Sequence, residues 1–352
     1  PKAFSGSFNY LYHNEGDGTF VDVSKAAGIQ VRSDDTGVPL GKAMGLAPVD
    51  CNGDGYLDLV VANDTVRNFL FENNRDGTFK ETGRLLGIAY DLSSGNARGA
   101  MGIDTAIFRE DGTLAIGIGN FANEASALYM ASPRRSTFVD AAMFTGFGPP
   151  TRLGLTFGLF YFDVDLDGRL DVLGANGHLE EEISKTQRTQ QYAQPPQLFW
   201  NAGRAATSEL VLLDQDCTGD SFCDPIVGRG TAFGDFDGDG DQDFVISVSD
   251  GPAKVFRNDQ ATGHHYVRFR LTGTKVNRDA IGAKITLTAG GKTQTRIAMP
   301  PRSYLSQSEL ELTFGLGEAT EVESASVTWP GGETESIEVD GVDRLIEVRQ
   351  AR

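Results

Sequence analysis

A nine-residue acidic motif occurs three times in this chain and constrains both its fold and its chemistry. Each copy places oxygen-bearing side chains at positions 1, 3, 5 and 9 and glycine at position 6. Position 7 varies, which suits a residue that offers its backbone carbonyl. The predicted ligands are therefore Asp50, Asn52, Asp54, Tyr56 and Asp58 in the first loop, Asp163, Asp165, Asp167, Arg169 and Asp171 in the second, and Asp235, Asp237, Asp239, Asp241 and Asp243 in the third.

This spacing predicts three calcium sites. Ca²⁺ takes six to eight oxygen ligands, which alternate residues of a curled loop can supply, whereas Mg²⁺ prefers rigid octahedral sites that keep several waters. Glycine at position 6 permits the sharp turn that such a loop needs. Ordinary Asp–Gly turns between strands are the alternative interpretation. Three copies in one register, each followed by an apolar segment, favour about three bound Ca²⁺ ions.

The segments around the loops repeat as well. Each loop leads into a short apolar run that reads as a buried strand, and Asp–Gly pairs such as Asp76-Gly77 mark hairpins between later strands. Asp50 and Asp163 are 113 residues apart, about two units, which predicts a further copy near residue 107. The sequence from Ile107 fits that register, but Ile107, Arg109 and Ala115 replace three ligands. We interpret it as a repeat that has lost its metal.

Four-stranded units at this period predict an all-β chain containing a β-propeller. The propeller is expected to occupy residues 1–260, followed by a small β-rich domain at 261–352. Four complete units are predicted near 41–88, 97–147, 154–213 and 228–260. A partial unit at 1–29 supplies only two outer strands, and its inner strands are expected from residues preceding this sequence or from elsewhere in the chain.

The motifs resemble known repeats and a known domain. The loops are similar to those of FG-GAP or VCBS repeats in the integrin α-subunit propeller. The C-terminal motifs resemble the ASPIC/UnbV domain of CRTAC (cartilage acidic protein)-type proteins; they are Asn277–Ala283, Tyr304–Gln307, Phe314–Gly317 and Trp329–Gly332. The resemblance implies an extracytoplasmic, calcium-containing propeller and no particular activity. Two departures are Thr313, where the family usually has His, and Pro300–Ser303, where it has a glycine-rich turn.

Composition restricts the partners. The formal net charge is −18, and the three loops hold twelve of the acids, so three Ca²⁺ ions would bring it to about −12. Such a chain repels nucleic acid, and no apolar run is long enough to span a membrane. Cys217 and Cys223 are close enough in sequence for a local disulfide, which would suit an extracytoplasmic location; two free thiols are the alternative. Asp214, Asp216, Thr218 and Asp220 form a weaker cation-site candidate.

The sequence favours a binding function over catalysis. It contains no nucleophile elbow, phosphate-binding loop or zinc-spaced set of His and Cys residues, and His178 is expected to be a hydrogen-bonded loop residue. We therefore expect a non-enzymatic adhesion, scaffold or accessory subunit that binds a protein partner, with the polar insertion at 179–196 forming part of the contact. The alternatives are a carbohydrate-active enzyme, such as a lyase or dehydratase, or a glycan-binding module.

Overall fold

The computed structural model describes residues 4–92, 94–134 and 137–352, and β-strands dominate it, which confirms the all-β prediction. The strands of the first domain are β1 (Tyr12–Asn14), β2 (Phe20–Asp22), β3 (Ala43–Val49), β4 (Asp58–Asn63), β5 (Phe69–Asn73), β6 (Phe79–Glu81), β7 (Ala100–Ile107), β8 (Leu114–Asn120), β9 (Ala127–Ala131), β10 (Phe138–Asp140), β11 (Thr156–Phe162), β12 (Asp171–Asn176), β13 (Gln197–Asn201), β14 (Leu210–Leu212), β15 (Gly228–Gly234), β16 (Asp243–Val248) and β17 (Lys254–Phe256). Among the described residues, five one-turn helices connect them: α1 (Gly83–Leu86), α2 (Ala142–Thr145), α3 (Gly148–Thr151), α4 (Ile183–Thr186) and α5 (Gln215–Thr218).

The first domain is a series of antiparallel sheets with the strand order of propeller blades. β3–β6, β7–β10 and β11–β14 each form a four-stranded sheet in sequence order. The degenerate repeat is the second of these, so it kept its strands. The partial unit is the two-stranded sheet β1–β2; its first three residues lie outside the described part of the chain.

The fourth unit differs from the prediction. It was expected to be a complete blade, but among the described residues it has only β15, β16 and β17. After β17 the chain turns at residues 257–264 and enters the second domain instead of adding an outer strand.

The blades pack through their innermost strands. All seven residues of β11 are buried, and this strand lies between β7 and β15. A Cβ atom at Gly102 of β7 would lie 2.2 Å from the carbonyl oxygen of Phe157, so glycine permits this close approach. Aromatic rings fill the space towards the fourth blade; Phe160, Phe162, Phe233 and Phe244 form one contiguous set of ring contacts.

The second domain is a two-layer β-sandwich. Its strands are β18 (His265–Thr272), β19 (Lys284–Ala289), β20 (Lys292–Ile297), β21 (Pro301–Arg302), β22 (Ser306–Gln307), β23 (Leu312–Gly317), β24 (Ser324–Thr328), β25 (Thr334–Ile337) and β26 (Arg344–Arg349). One sheet has the order β23-β18-β26, with β18 and β26 parallel, and the other has the order β20-β19-β24-β25. The core between them includes Phe269, Phe314, Ile285, Val327 and Trp329, all buried.

The hairpin formed by β21 and β22 leaves the sandwich and enters the first domain between its innermost strands. It contacts β3, β7 and β15. Ser303 exchanges both backbone hydrogen bonds with Ile103 of β7, and its Oγ accepts hydrogen bonds from the backbone N–H groups of Leu159 and Thr231. One serine therefore joins three blades at the centre of the first domain.

Candidate metal centres

The second acidic loop, residues 163–171, connects β11 to β12 and is curled around its own carboxylates. Asp163 Oδ1 accepts a hydrogen bond from the backbone N–H of Asp167 (3.1 Å), and its Oδ2 accepts one from Gly168 (2.9 Å). Asp167 Oδ1 accepts the N–H of Arg169 at 2.8 Å. The ninth residue, Asp171, closes the loop, because its Oδ2 accepts the N–H of Val164 at 2.8 Å.

The other two loops repeat this arrangement between β3 and β4 and between β15 and β16. Asp50 Oδ2 accepts the N–H of Gly55 at 3.0 Å, and Asp235 Oδ2 accepts that of Gly240 at 3.1 Å. Asp58 and Asp243 close their loops onto the second residue, at 2.9 Å and 2.8 Å respectively. Gly55, Gly168 and Gly240 all have positive φ, as the motif requires at position 6.

Carboxylate oxygens converge in two of the loops. Within the described residues, ligand atoms of Asp163, Asp165 and Asp171 lie within 4.8 Å of one another, and so do those of Asp235, Asp237 and Asp239. Such clusters could hold a metal ion, and an oxygen-only donor set suits a hard cation. In the first loop Asn52 supplies an amide oxygen at position 3, where it accepts the N–H of Asp54 at 2.9 Å.

The side chains at position 7 differ among the loops, and Asp241 of the third loop accepts a hydrogen bond from the Gln260 side chain at 3.0 Å. The Tyr56 ring lies beneath the Arg75 guanidinium, 5.2 Å from its centroid, and Arg75 also pairs with Asp54. Arg169 pairs with Asp167 and donates from Nε to the carbonyl of Asn201. In the first two loops, the contacts of Tyr56 and Arg169 leave the backbone carbonyl as the metal-binding group that position 7 can offer.

Sequence reasoning missed a recurrent asparagine at the third strand of each loop-bearing blade. The backbone N–H groups of Asn73, Asn201 and Asn258 each donate to Oδ1 of the ninth-position aspartate of the nearby loop, at 2.8, 2.7 and 2.8 Å. A repeated Phe-x-Asn pattern, at residues 71–73, 199–201 and 256–258, carries the signal. Trp200, within this pattern, donates its indole N–H to Asp165 Oδ2 at 2.9 Å.

The degenerate loop of the second blade holds Arg109 at position 3, where the other loops hold Asn52, Asp165 and Asp237. The Arg109 guanidinium forms a bidentate pair with Glu209, which precedes β14 of the next blade. The side chain of Glu209 is 8% exposed and that of Arg109 is 19% exposed, so the pair is largely withdrawn from water. The arginine at position 3 of this loop therefore forms a salt bridge to the next blade.

Burial perturbs the loop carboxyls. Burial raises the pKa of Asp163 to about 8, opposed by Arg296 and reinforced by Asp167 and Asp165. Burial also raises the pKa of Asp58 to about 6 and that of Asp171 well above its ordinary range. Several carboxyls forced together away from water favour the protonated form, and a cation relieves the same cost.

These shifts predict a pH dependence with a definite sign. The pKa values of these carboxyls are higher in the folded than in the unfolded protein. In the calcium-free protein they therefore contribute stability that is fully present at a pH below their unfolded pKa values. This contribution is lost as the pH rises through their folded pKa values. With calcium removed by a chelator, we expect the midpoint temperature of unfolding to fall by roughly 5 °C between about pH 6 and about pH 8. Differential scanning calorimetry checks this. A midpoint of the calcium-free protein that rises over the same pH interval would contradict this prediction.

The second domain covers the loop-bearing end of the blades. The Gly317 N–H donates to the carbonyl of Leu166 at 2.9 Å, and His264 Nδ1 lies 2.6 Å from the carbonyl oxygen of Asp165. A Cβ atom at Gly315 would lie 2.3 Å from Asp163 Oδ2, so the Phe-Gly-Leu-Gly motif presents glycine where the sandwich meets the second loop. The metal candidates therefore lie at a domain interface.

The remaining sequence candidates have structural contacts. The disulfide predicted between Cys217 and Cys223 is not formed, because both are free thiols and the hydroxyl of Thr218 lies next to Cys223 Sγ at 3.5 Å. Asp214 caps α5 instead of joining a cation cluster. His178 is buried and its Nδ1 accepts the N–H of Glu180, as expected for a hydrogen-bonded loop residue.

The insertion at 179–196 lies at the end of the third blade opposite the acidic loops, because it joins β12 to β13. Gln190 and Gln194 within it are buried, and Gln194 exchanges backbone hydrogen bonds with Ile226. It contains α4 and contacts Asn123 of the second blade through Gln187 and Gln190. Part of the insertion is thus integral to the fold.

Comparison with protein families agrees with these features. Residues 50–118 match the FG-GAP-like repeat, and residues 273–352 match the family described as ASPIC and UnbV. The resemblance predicted from the motifs is confirmed. The repeated blades and the FG-GAP match together confirm the propeller fold class.

The chain is similar to curated proteins named cartilage acidic protein 1. It is 28% identical to the Mus musculus protein over 335 residues, which is 93% of this chain and 47% of that protein. It is 29% identical to the Homo sapiens protein over 318 residues, which is 88% of this chain and 43% of that protein. The chain therefore spans less than half the length of these relatives.

Solved structures show only distant similarity. The chain is similar to the V. cholerae biofilm matrix protein Bap1, with 12% identity, a TM-score of 0.33, and coverage of 95% of this chain and 59% of that chain. For the Dos1 propeller the identity is 12% and the TM-score 0.34, with coverage of 98% and 80%. For a leech intramolecular trans-sialidase the values are 10% and 0.36, with coverage of 71% and 35%. Sequence identities and TM-scores this low do not assign an activity to the chain.

Proposed function

We propose that the chain is a calcium-stabilised, extracytoplasmic β-propeller that acts as a scaffold, adhesion or accessory subunit and binds a protein partner without catalysis. The observation that carries the proposal is the repetition of one closed loop geometry in three blades, beneath a domain that covers all three. A cation held in this way stabilises a turn between two strands and contributes its binding energy to folding. About three Ca²⁺ ions per chain are expected.

The centre of the propeller supports binding over catalysis. Propeller enzymes need an open site, yet the hairpin Pro301–Gln307 occupies the space between the innermost strands of this chain. Arg302 of the hairpin forms two hydrogen bonds to Asp104, at 2.8 and 3.0 Å, and both side chains are largely buried. The carboxylate of Asp104 at the centre is therefore engaged by Arg302.

The exposed end of the propeller offers a partner surface. The loop-bearing end is covered by the sandwich, whereas the hairpin tip emerges at the opposite end, where β3, β11 and β15 begin. Leu305 at the tip is 85% exposed, and Leu179 in the insertion at the same end is 53% exposed. Large apolar side chains held outward on a rigid scaffold are typical anchors for a protein partner.

An extracytoplasmic location has three supports. The relatives carry the name of a tissue matrix, the chain is strongly acidic, and calcium sites of this kind fill readily outside cells. In the described part of the chain, no helix has the length and apolarity that a membrane crossing requires.

A capture experiment tests the partner surface. The protein is immobilised in calcium-containing buffer, incubated with extract of its native source and compared with Leu305→Lys. The wild type is expected to capture a partner protein in stoichiometric amount. Leu305→Lys is expected to capture at least about tenfold less of this protein. Phe144→Lys is the matched control, since Phe144 is also 85% exposed but follows an outer strand. Equal capture by both variants would exclude the tip as the contact. Binding of an oligosaccharide instead, on a glycan array, would favour the glycan-binding alternative.

A further inference from the structure

The first aspartate of every acidic loop faces one cation of the C-terminal sandwich. Lys284 Nζ of β19 lies 3.7 Å from Asp50 Oδ2. An Arg296 terminal nitrogen, from β20, lies 4.0 Å from Asp163 Oδ2. An Arg268 terminal nitrogen, from β18, lies 2.5 Å from Asp235 Oδ2. Three different strands thus each present one positive charge to one loop.

The three contacts are not equivalent. Lys284 and Arg296 stay beyond hydrogen-bonding distance of the carboxylate and act on it only through space. Arg268 donates a direct, charge-assisted hydrogen bond to the oxygen that also accepts the Gly240 N–H. Of these three contacts, that of Arg268 is the one within hydrogen-bonding distance of the carboxylate at position 1.

Arg268 also has a second carboxylate within reach. Its other terminal nitrogen donates to Glu309 Oε2 at 2.5 Å, and its Nε donates to the Thr313 hydroxyl at 3.2 Å. Glu309 belongs to the sandwich side of the interface, and its Oε1 accepts from the Gln242 side chain at 3.4 Å. If Asp235 is taken by another cation, Arg268 can therefore keep two of its three partners.

We propose that Arg268 is a built-in counter-ion of the third loop that calcium displaces from Asp235. This inference rests on the proposed calcium binding. In the empty loop the guanidinium neutralises part of a cluster of five aspartates, and on calcium binding it stays with Glu309 and Thr313. The third loop consequently binds calcium more weakly than the second, and its occupancy is linked to the contact between propeller and sandwich.

Substitution of Arg268 tests whether its guanidinium competes with calcium for Asp235. Arg268→Met alone would leave Glu309 buried without its partner, so Arg268→Met/Glu309→Gln is the principal variant. Isothermal titration with calcium identifies the third loop as the binding event lost in Asp237→Ala, which removes the ligand oxygen at position 3. In the double variant this event is expected to be roughly tenfold tighter than in the wild type, because the competing charge is gone.

Three controls separate competition from general disturbance. Arg268→Lys keeps the charge and is expected to stay within about twofold of the wild type, as is Lys284→Met, which removes a cation that does not touch its loop. Terbium luminescence sensitised by Trp200, which contacts Asp165, reports on the second loop and should not change in the double variant.

The outcomes distinguish this inference from the proposed function. Third-loop affinity that is unchanged or lower in the double variant, with the other sites intact, overturns the counter-ion role and leaves the calcium proposal standing. An absence of calcium binding to the wild-type chain overturns both.

Discussion

Asp163→Asn is expected to remove the calcium-dependent stabilisation that the second loop provides. Both oxygens of this buried carboxylate accept hydrogen bonds from the loop backbone, and the variant replaces a charged ligand with a neutral one at a fully buried position. Calcium at about a thousand times its dissociation constant stabilises a site by about 4 kcal/mol. The variant should therefore lose roughly 10 °C of the rise in thermal midpoint that calcium produces in the wild type.

Asp165→Asn is the matched control for this effect. It recreates in the second loop the amide that Asn52 supplies at the same position of the first, so folding should persist and the calcium response should fall only in part. Calorimetry with calcium and with chelator, on all three proteins, measures both effects. A calcium response in Asp163→Asn equal to that of the wild type would show that the second loop does not carry a stabilising cation.

Arg302→Met is expected to destabilise the protein by about 3–5 kcal/mol, the usual cost of leaving one member of a buried ion pair alone. One terminal nitrogen of Arg302 donates to both carboxylate oxygens of Asp104. The Asp104 side chain is 3% exposed, and burial raises its pKa even beside the guanidinium. The pair joins the hairpin of the sandwich to β7 of the second blade. Urea unfolding, followed by fluorescence, measures the loss.

Arg270→Met is the control for loss of an arginine as such. Arg270 pairs with Glu311 at the surface and is 50% exposed, so its removal should cost less than about 1 kcal/mol. The double variant Arg302→Met/Asp104→Leu, which leaves no charge unpaired, should recover part of the stability. If Arg302→Met lowers the free energy of unfolding no more than Arg270→Met does, the contact between Arg302 and Asp104 does not stabilise the association of the two domains.

Much of the candidate site could be predicted from sequence because each loop is built from nine consecutive residues. The spacing of Asp163, Asp165 and Asp171 implied convergence, and the structure brings these three carboxylates together. The Asn201 contact to Asp171 spans 30 residues, but its Phe-x-Asn signal repeats and was open to detection. The disulfide prediction failed because proximity in sequence between Cys217 and Cys223 does not fix where their side chains point.

The departures from the family motifs gain their meaning only from the fold. Thr313, in place of the usual His, accepts a hydrogen bond from Arg268. Arg302 and Ser303, in place of a glycine-rich turn, bind Asp104 and join three blades. No local pattern marked either role, because the partners are distant along the chain; 198 residues separate Asp104 from Arg302.

The sequence by itself determined most of the strands, the blade repeat and the three acidic loops, since apolar runs, turn residues and ligand spacing act over a few neighbouring residues. Tertiary structure decided that the fourth blade has three strands, that the sandwich covers the loops, and that a hairpin fills the centre. It also decided that Lys284, Arg296 and Arg268 each meet the first aspartate of a loop. These features arise from packing and charge pairing between segments far apart in the chain, which local residue patterns do not encode.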